Sequence, residues 1–161
     1  MHNFKIKIHG HELIIQYLKS YPDDFSQGTL IEIGSTREPY AHQSSTEKLA
    51  TVANNLGLHF ITVDMDPELT ANAAAVLKEV SSTFEAVNSK GEDFLEAYEG
   101  IPAAIYLDAF DTVLGPHHHS ADRKRRYEEH LDCNITNELC WAMHLDCVKP
   151  LVEKMPVGGV I

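Results

Sequence analysis

The chain has 161 residues, 43% of them hydrophobic, enough for one α/β domain with a sizeable core and too short for two. Its net charge of −11 excludes sequence-independent nucleic-acid binding, which depends on Lys and Arg neutralising many phosphates. No stretch approaches the run of about 18 apolar residues that a membrane span needs, and the amino terminus lacks the apolar core of a signal peptide. Three cysteines, an odd number clustered late in the chain, do not make a disulfide framework, so the expected setting is a reducing cytoplasm.

Residues His11 to Ser20 carry Leu13, Ile14, Tyr17 and Leu18 at the spacing of an amphipathic helix. The first strand is Thr29 to Ile33, a short apolar run ended by Gly34. A polar loop, Arg37 to Gln43, leads to Ser44 and Glu47 in a capping-box pattern, which predicts a helix from Ser45 through Ala53. A second run, His59 to Val63, closes on Asp64. Strand, Gly turn, helix and strand together are the sequence form of a βαβ unit with parallel strands. Gly34 allows a sharp turn and close approach to a ligand, and Asp64 can accept two hydrogen bonds from a ribose diol at the carboxyl end of the sheet. The span from Gly34 to Asp64 is 30 residues against roughly 20 in a dinucleotide-binding unit, and the loop Gly34-Ser-Thr-Arg-Glu-Pro39 lacks the second and third glycines of a diphosphate cradle. The surplus falls in the polar loop, a candidate lid or substrate element.

Asp66 and Pro67 start an Ala-rich helix running to Val80. Thr83 to Val87 is a third strand, followed by Glu92, Asp93 and a short helix from Phe94 to Tyr98. Ala103 to Leu107 is continuously apolar, as a central parallel strand should be, and ends in Asp108 and Asp111. The loop from Gly115 carries His117, His118 and His119, any of which is a candidate general base because imidazole titrates near neutral pH; the alternative is a solvated loop. The basic cluster Arg123 to Arg126 reads as a solvated helix face. Ala121 to Lys154 is predicted as one long helix, with His130, Cys133, Asn137, Cys140, His144 and Cys147 on one stripe. A straight helix cannot surround a tetrahedral zinc with ligands over nearly five turns, so the stripe is read as packing. A second apolar stripe, Leu131 to Ala142, indicates cover on both faces, by self-association or by chain beyond this one.

Leu30-Ile-Glu-Ile-Gly-Ser35 resembles the first motif of class I S-adenosylmethionine (SAM)-dependent methyltransferases, whose cofactor carries no phosphate. The leading helix, the carboxylate after the second strand, Glu92 after the third and Asp108 after the fourth follow the same family order. The resemblance implies a three-layer α/β sandwich with a Rossmann-like parallel sheet in the order 3-2-1-4-5, lacking the last strands of a full domain because Pro156 to Ile161 only leads into the fifth. It implies cofactor contacts from Glu32, Gly34, Ser35, Thr36, Asp64, Met65, Glu92 and Asp93, with Asp108 and His117 on the reaction side. It further implies O-methyl transfer to a small molecule, with Asp108 and Asp111 holding Mg2+ if the chain is of the metal-assisted type, and a homo-oligomer as a candidate assembly. The competing expectations are a nicotinamide-nucleotide oxidoreductase, which the same βαβ unit permits, and a non-catalytic binding or assembly domain that keeps the fold.

Overall fold

A computed structural model describes residues 9–22, 28–36, 44–108, 125, 128–129, 136–156 and 158–161. Four parallel strands form one sheet: β1 (Thr29–Ile33), β2 (His59–Asp64), β3 (Phe84–Asn88) and β4 (Pro102–Leu107), in the spatial order 3-2-1-4. The helices are α1 (Gly10–Ser20), α2 (Ser45–Leu56), α3 (Pro67–Val80), α4 (Gly91–Ala97), α5 (Asn137–Val148) and α6 (Leu151–Lys154). None of the described helices is long and apolar enough to cross a membrane.

Alternation along the strands sorts side chains into two layers of core. Leu30, Phe60 and Ala104 face one side, where Ile14 and Leu18 of α1, Leu49 and Ala53 of α2 and Leu77 of α3 cover them. Ile31, Ile33, Ile61, Val63 and Ile105 face the other, under Leu95 of α4, Cys147 of α5 and Leu151 of α6. Both faces are thus buried, which is why β4 reads as a continuous apolar run and β1 as one broken only by Glu32. The result is a Rossmann-like α/β arrangement of helix, sheet and helix.

Register puts the strand ends level. Glu32 pairs with Thr62 and Tyr106, and Ile33 pairs with Val63 and Leu107. Beyond β4 the sheet makes one isolated parallel bridge, Ala104 to Val160, in which the Ile105 amide donates to the Val160 carbonyl at 2.8 Å. A fifth strand is absent among the described residues.

Among the boundaries that differ from those read in the sequence, such as α2 running to Leu56 and β3 starting at Phe84, two bear on the site. The short helix α4 begins at Gly91 rather than Phe94, because Gly91 has no Cβ: one built there would lie 2.3 Å from Ile33 Cγ2 and 3.3 Å from Cys147 Sγ. The long helix predicted from Ala121 to Lys154 is not continuous. Arg125, Glu128 and Glu129 are helical, but Thr136 is extended (φ −128°, ψ 164°), and its hydroxyl accepts the Leu139 amide to cap a new helix, α5. Lys149 and Pro150 then form a turn before α6; proline has no N–H to continue the ladder. Asn137, Cys140, His144 and Cys147 therefore share one helix, while His130 and Cys133 lie outside the described residues. Cys140 and Cys147 are buried and not disulfide-bonded. Opposite them, Trp141 and Leu145 are exposed. Arg125 is exposed and pairs with Glu129 one turn on, at 3.1 Å, as a solvated helix face does.

Candidate functional site

The loop after β1 is organised by a buried carboxyl group. Glu32 lies in a strand of otherwise apolar residues and has no solvent exposure. Its Oε1 accepts the Ser45 hydroxyl at 2.6 Å; its Oε2 accepts the hydroxyls of Thr46 at 2.6 Å and Thr62 at 2.8 Å. Each hydroxyl has one proton, so Ser45 and Thr62 must act as acceptors toward their other partners. Ser35 Oγ accordingly donates to Thr62 Oγ1 at 2.9 Å, and Thr36 Oγ1 donates to Ser45 Oγ at 3.1 Å. Every hydroxyl proton in this network runs toward Glu32.

Burial raises the Glu32 carboxyl from 4.5 to about 7; the three donated hydroxyls oppose that rise, and the charge of Asp108 adds to it. When the carboxyl is protonated it must donate to one of its hydroxyls, and that branch of the network reverses. The protonation state of Glu32 is thereby tied to the direction of the hydrogen bonds that hold Ser35 and Thr36.

The backbone of the same loop is also committed. The Ser35 amide donates to Asp64 Oδ2 at 2.9 Å, and the Thr36 amide donates to Thr46 Oγ1 at 2.8 Å. Gly34 sits at φ 93°, a left-handed conformation that glycine adopts without a Cβ penalty, and its amide donates to the Val63 carbonyl at 2.8 Å.

Asp64 ends β2. Its Oδ1 accepts the Asp66 amide at 2.9 Å, while its carbonyl takes the Ser89 amide, the Thr70 hydroxyl and Asn88 Nδ2. Asp66 caps α3 by accepting the amides of Glu68 and Leu69. The two carboxylates two residues apart thus have separate duties: Asp66 starts a helix, and Asp64 ties the ends of β1 and β2 together.

At these strand ends lies a cleft of about 470 Å³, open to solvent. Ile33, Val63 and Leu107 form its apolar base, and Gly34, Asp64 and Met65 one rim. Ser89, Lys90, Gly91 and Glu92, which follow β3, and Met143, His144 and Cys147 of α5 line the rest. His144 Nδ1 lies 2.8 Å from the Cys140 carbonyl. The Cys147 thiol is pushed up to about 12, by burial first and then by Glu92 and Asp146, so it is a neutral packing group at physiological pH.

The expected site residues divide by place. Gly34, Asp64, Met65 and Glu92 line one cleft. Glu32, Ser35 and Thr36 do not line it; they form the network beneath the loop. Asp93 is exposed and outside the cleft lining, which favours Glu92 of that pair. Asp108 is exposed just past β4, its amide donating to the Ile33 carbonyl at 2.8 Å. Its carboxylate accepts the Tyr106 hydroxyl; that bond, the charge of Asp108 and above all burial hold the Tyr106 phenol well above its usual range. His117 and Asp111 lie outside the described residues. Among the described residues no three His, Cys, Asp or Glu side chains converge to hold a metal ion.

The Ser45–Thr46–Thr62 cage and the Tyr106–Asp108 pair were not anticipated. One signal for the cage was present: Glu32 stands two residues before Gly34 and Thr62 two before Asp64, so aligning the strand ends pairs them.

No protein-family model matches this chain, and no curated protein matches it either.

Proposed function

We propose that this chain is the cofactor-binding core of a SAM-dependent methyltransferase acting on an oxygen of a small molecule. The observation that carries this reading is the use of the loop amides. In dinucleotide sites the amides after the first strand cradle a diphosphate. Here those of Ser35 and Thr36 are bonded to Asp64 and Thr46 within the protein, leaving Gly34 as the close-approach point. A nucleoside cofactor without phosphate suits such a loop better than a nicotinamide dinucleotide.

The donor set agrees with that choice. A carboxylate offers about four acceptor positions, and the amides of Ser35 and Asp66 orient Asp64 at the rim where a ribose diol would lie. Glu92 lines the same cleft, where it would accept from an adenine amino group, and Ile33, Val63 and Leu107 supply apolar surface. SAM when bound supplies a methyl group activated by a sulfonium. The chain contributes orientation, which displacement at a methyl carbon chiefly needs; Asp108, held by Tyr106 just past β4 and outside the cleft lining, would act from the acceptor side. The Val160 bridge on the outer edge of β4 is where the fifth strand of a 3-2-1-4-5 sheet would begin, in keeping with this reading.

Calorimetric titration with S-adenosylhomocysteine and NAD in parallel tests the proposal. Binding of the first and not the second is expected. Binding of NAD alone would replace the reading with an oxidoreductase, and binding of neither would leave a domain that keeps the fold without the cofactor.

A further inference from the structure

The amino-terminal turn of α1 is docked by polar groups, not by its apolar face. His11 is 3% exposed, and its ring packs edge-on to Tyr106 at 6.0 Å (83°) and stacks on His9 at 5.6 Å (16°). A Cβ built on Gly10 would lie 3.1 Å from Tyr106 Cε2, so the helix start rests directly against β4. From α2, Lys48 Nζ reaches His11 Nε2 at 3.3 Å. An ammonium has donors and no acceptor, so Nε2 is the lone-pair nitrogen of a neutral imidazole and the ring proton is on Nδ1.

We propose that this contact is a pH-sensitive latch: protonation of His11 sets an imidazolium N–H against the Lys48 ammonium and releases the first turn of α1 from β4. Among the described residues, charged and aromatic groups face His11 from three elements. Lys48 on α2 opposes its protonation, as does His9; Glu12 on α1 favours it, and Tyr106 on β4 carries the contact onward to Asp108. Burial and then Lys48 outweigh Glu12, holding His11 below its usual value. A histidine with a lowered value in the closed state stabilises that state fully above about 6.5, and the stabilisation is lost as pH falls below it. The consequence reaches the candidate site because Tyr106 is the group that holds Asp108. The latch does not depend on which cofactor the cleft takes.

Residue-resolved amide hydrogen exchange on the whole chain, corrected for the intrinsic pH dependence, tests it. Protection of Leu13, Ile14 and Ile15 should fall several-fold between pH 7.5 and 5.5, bounded by tenfold per pH unit for one proton. His11→Gln, which can still accept from Lys48, should show equal protection at both pH values. Lys48→Met should lessen the fall and move the NMR titration midpoint of the His11 ring upward toward 6.5. Equal wild-type protection at both pH values, a parallel fall in His11→Gln, or an unmoved midpoint in Lys48→Met would each overturn the latch. The midpoint comparison stands by itself should His11→Gln not fold.

Discussion

Thr36 and Thr46 cap each other. The Thr36 amide donates to Thr46 Oγ1 at 2.8 Å and the Thr46 amide donates to Thr36 Oγ1 at 3.1 Å, so each residue satisfies the other's backbone with its side chain. Thr46 is the second residue of α2, whose N–H has no intrahelical partner. Ser44 is the N-cap residue, as its sequence pattern predicts, but its side chain makes no capping bond; the cap is supplied by the loop that follows β1. The start of α2 and the candidate ligand loop are therefore one unit, hung from Glu32.

Thr46→Val tests that unity. It keeps the shape while removing the hydroxyl that bonds both Glu32 and the Thr36 amide, leaving a part-buried N–H without this partner. An unmade bond of this kind costs about 1–3 kcal/mol. Urea unfolding should show a loss of that size, with exchange of the Thr36 amide accelerated. A loss below about 0.5 kcal/mol would mean that the loop is held by other contacts.

Glu32 makes stability depend on pH with a definite sign. Its carboxyl is raised in the fold from 4.5 to about 7, so between those values the folded state binds more protons than the unfolded one and stability falls as pH rises. At roughly 1.4 kcal/mol per pH unit the difference across the window is about 3 kcal/mol. Glu32→Gln should remove it, so the stability of wild type relative to this variant, measured by denaturant at a series of pH values, should drop from pH 4.5 to 7 and then level off. A flat difference would show that the three hydroxyls fully offset burial.

Gly91→Ala sets two effects against each other. Alanine is favoured over glycine in helices, by about 1 kcal/mol in the interior and by less at a first position such as Gly91. At Gly91 the added Cβ would sit 2.3 Å from Ile33 Cγ2, a branch methyl in a packed core that cannot swing aside. Overpacking typically costs about 1–3 kcal/mol, so net destabilisation is expected, together with a change in the cleft that Gly91 lines. A raised melting temperature would contradict this packing.

Asp64→Asn is isosteric but removes the charge and sets an NH2 against either the Ser35 or the Asp66 amide, both of which the carboxylate accepts. If the cleft takes a ribose diol, affinity for S-adenosylhomocysteine should weaken by about 1.5–3 kcal/mol, the range for hydrogen bonds to a charged group. Calorimetry on variant protein with an unchanged circular dichroism spectrum is the measurement. Unchanged affinity would remove Asp64 from the diol contact.

Much of the fold was legible in the chain because its signals are local. Thr29–Ile33 and Pro67–Val80 have in the structure the limits that Gly34, Asp66 and Pro67 announce, since a strand end and a helix cap depend on residues a few positions away. The alternation of parallel strands and helices likewise follows from periodicity. What the sequence could not decide was which polar side chains meet. Glu32 looked like a cofactor contact; the register of β1 against β2 and the rotation of α2 turn it instead toward Thr62, Ser45 and Thr46, on the face away from Ile33 and Val63. His11, Lys48 and the Tyr106–Asp108 pair stand on three separate stretches of chain, and only the packing of α1 and α2 against the end of β4 brings them together. Local pattern determines which face of an element is apolar. The partners of a polar group are set by inter-element register and helix orientation, which arise only when all the apolar faces are buried at once.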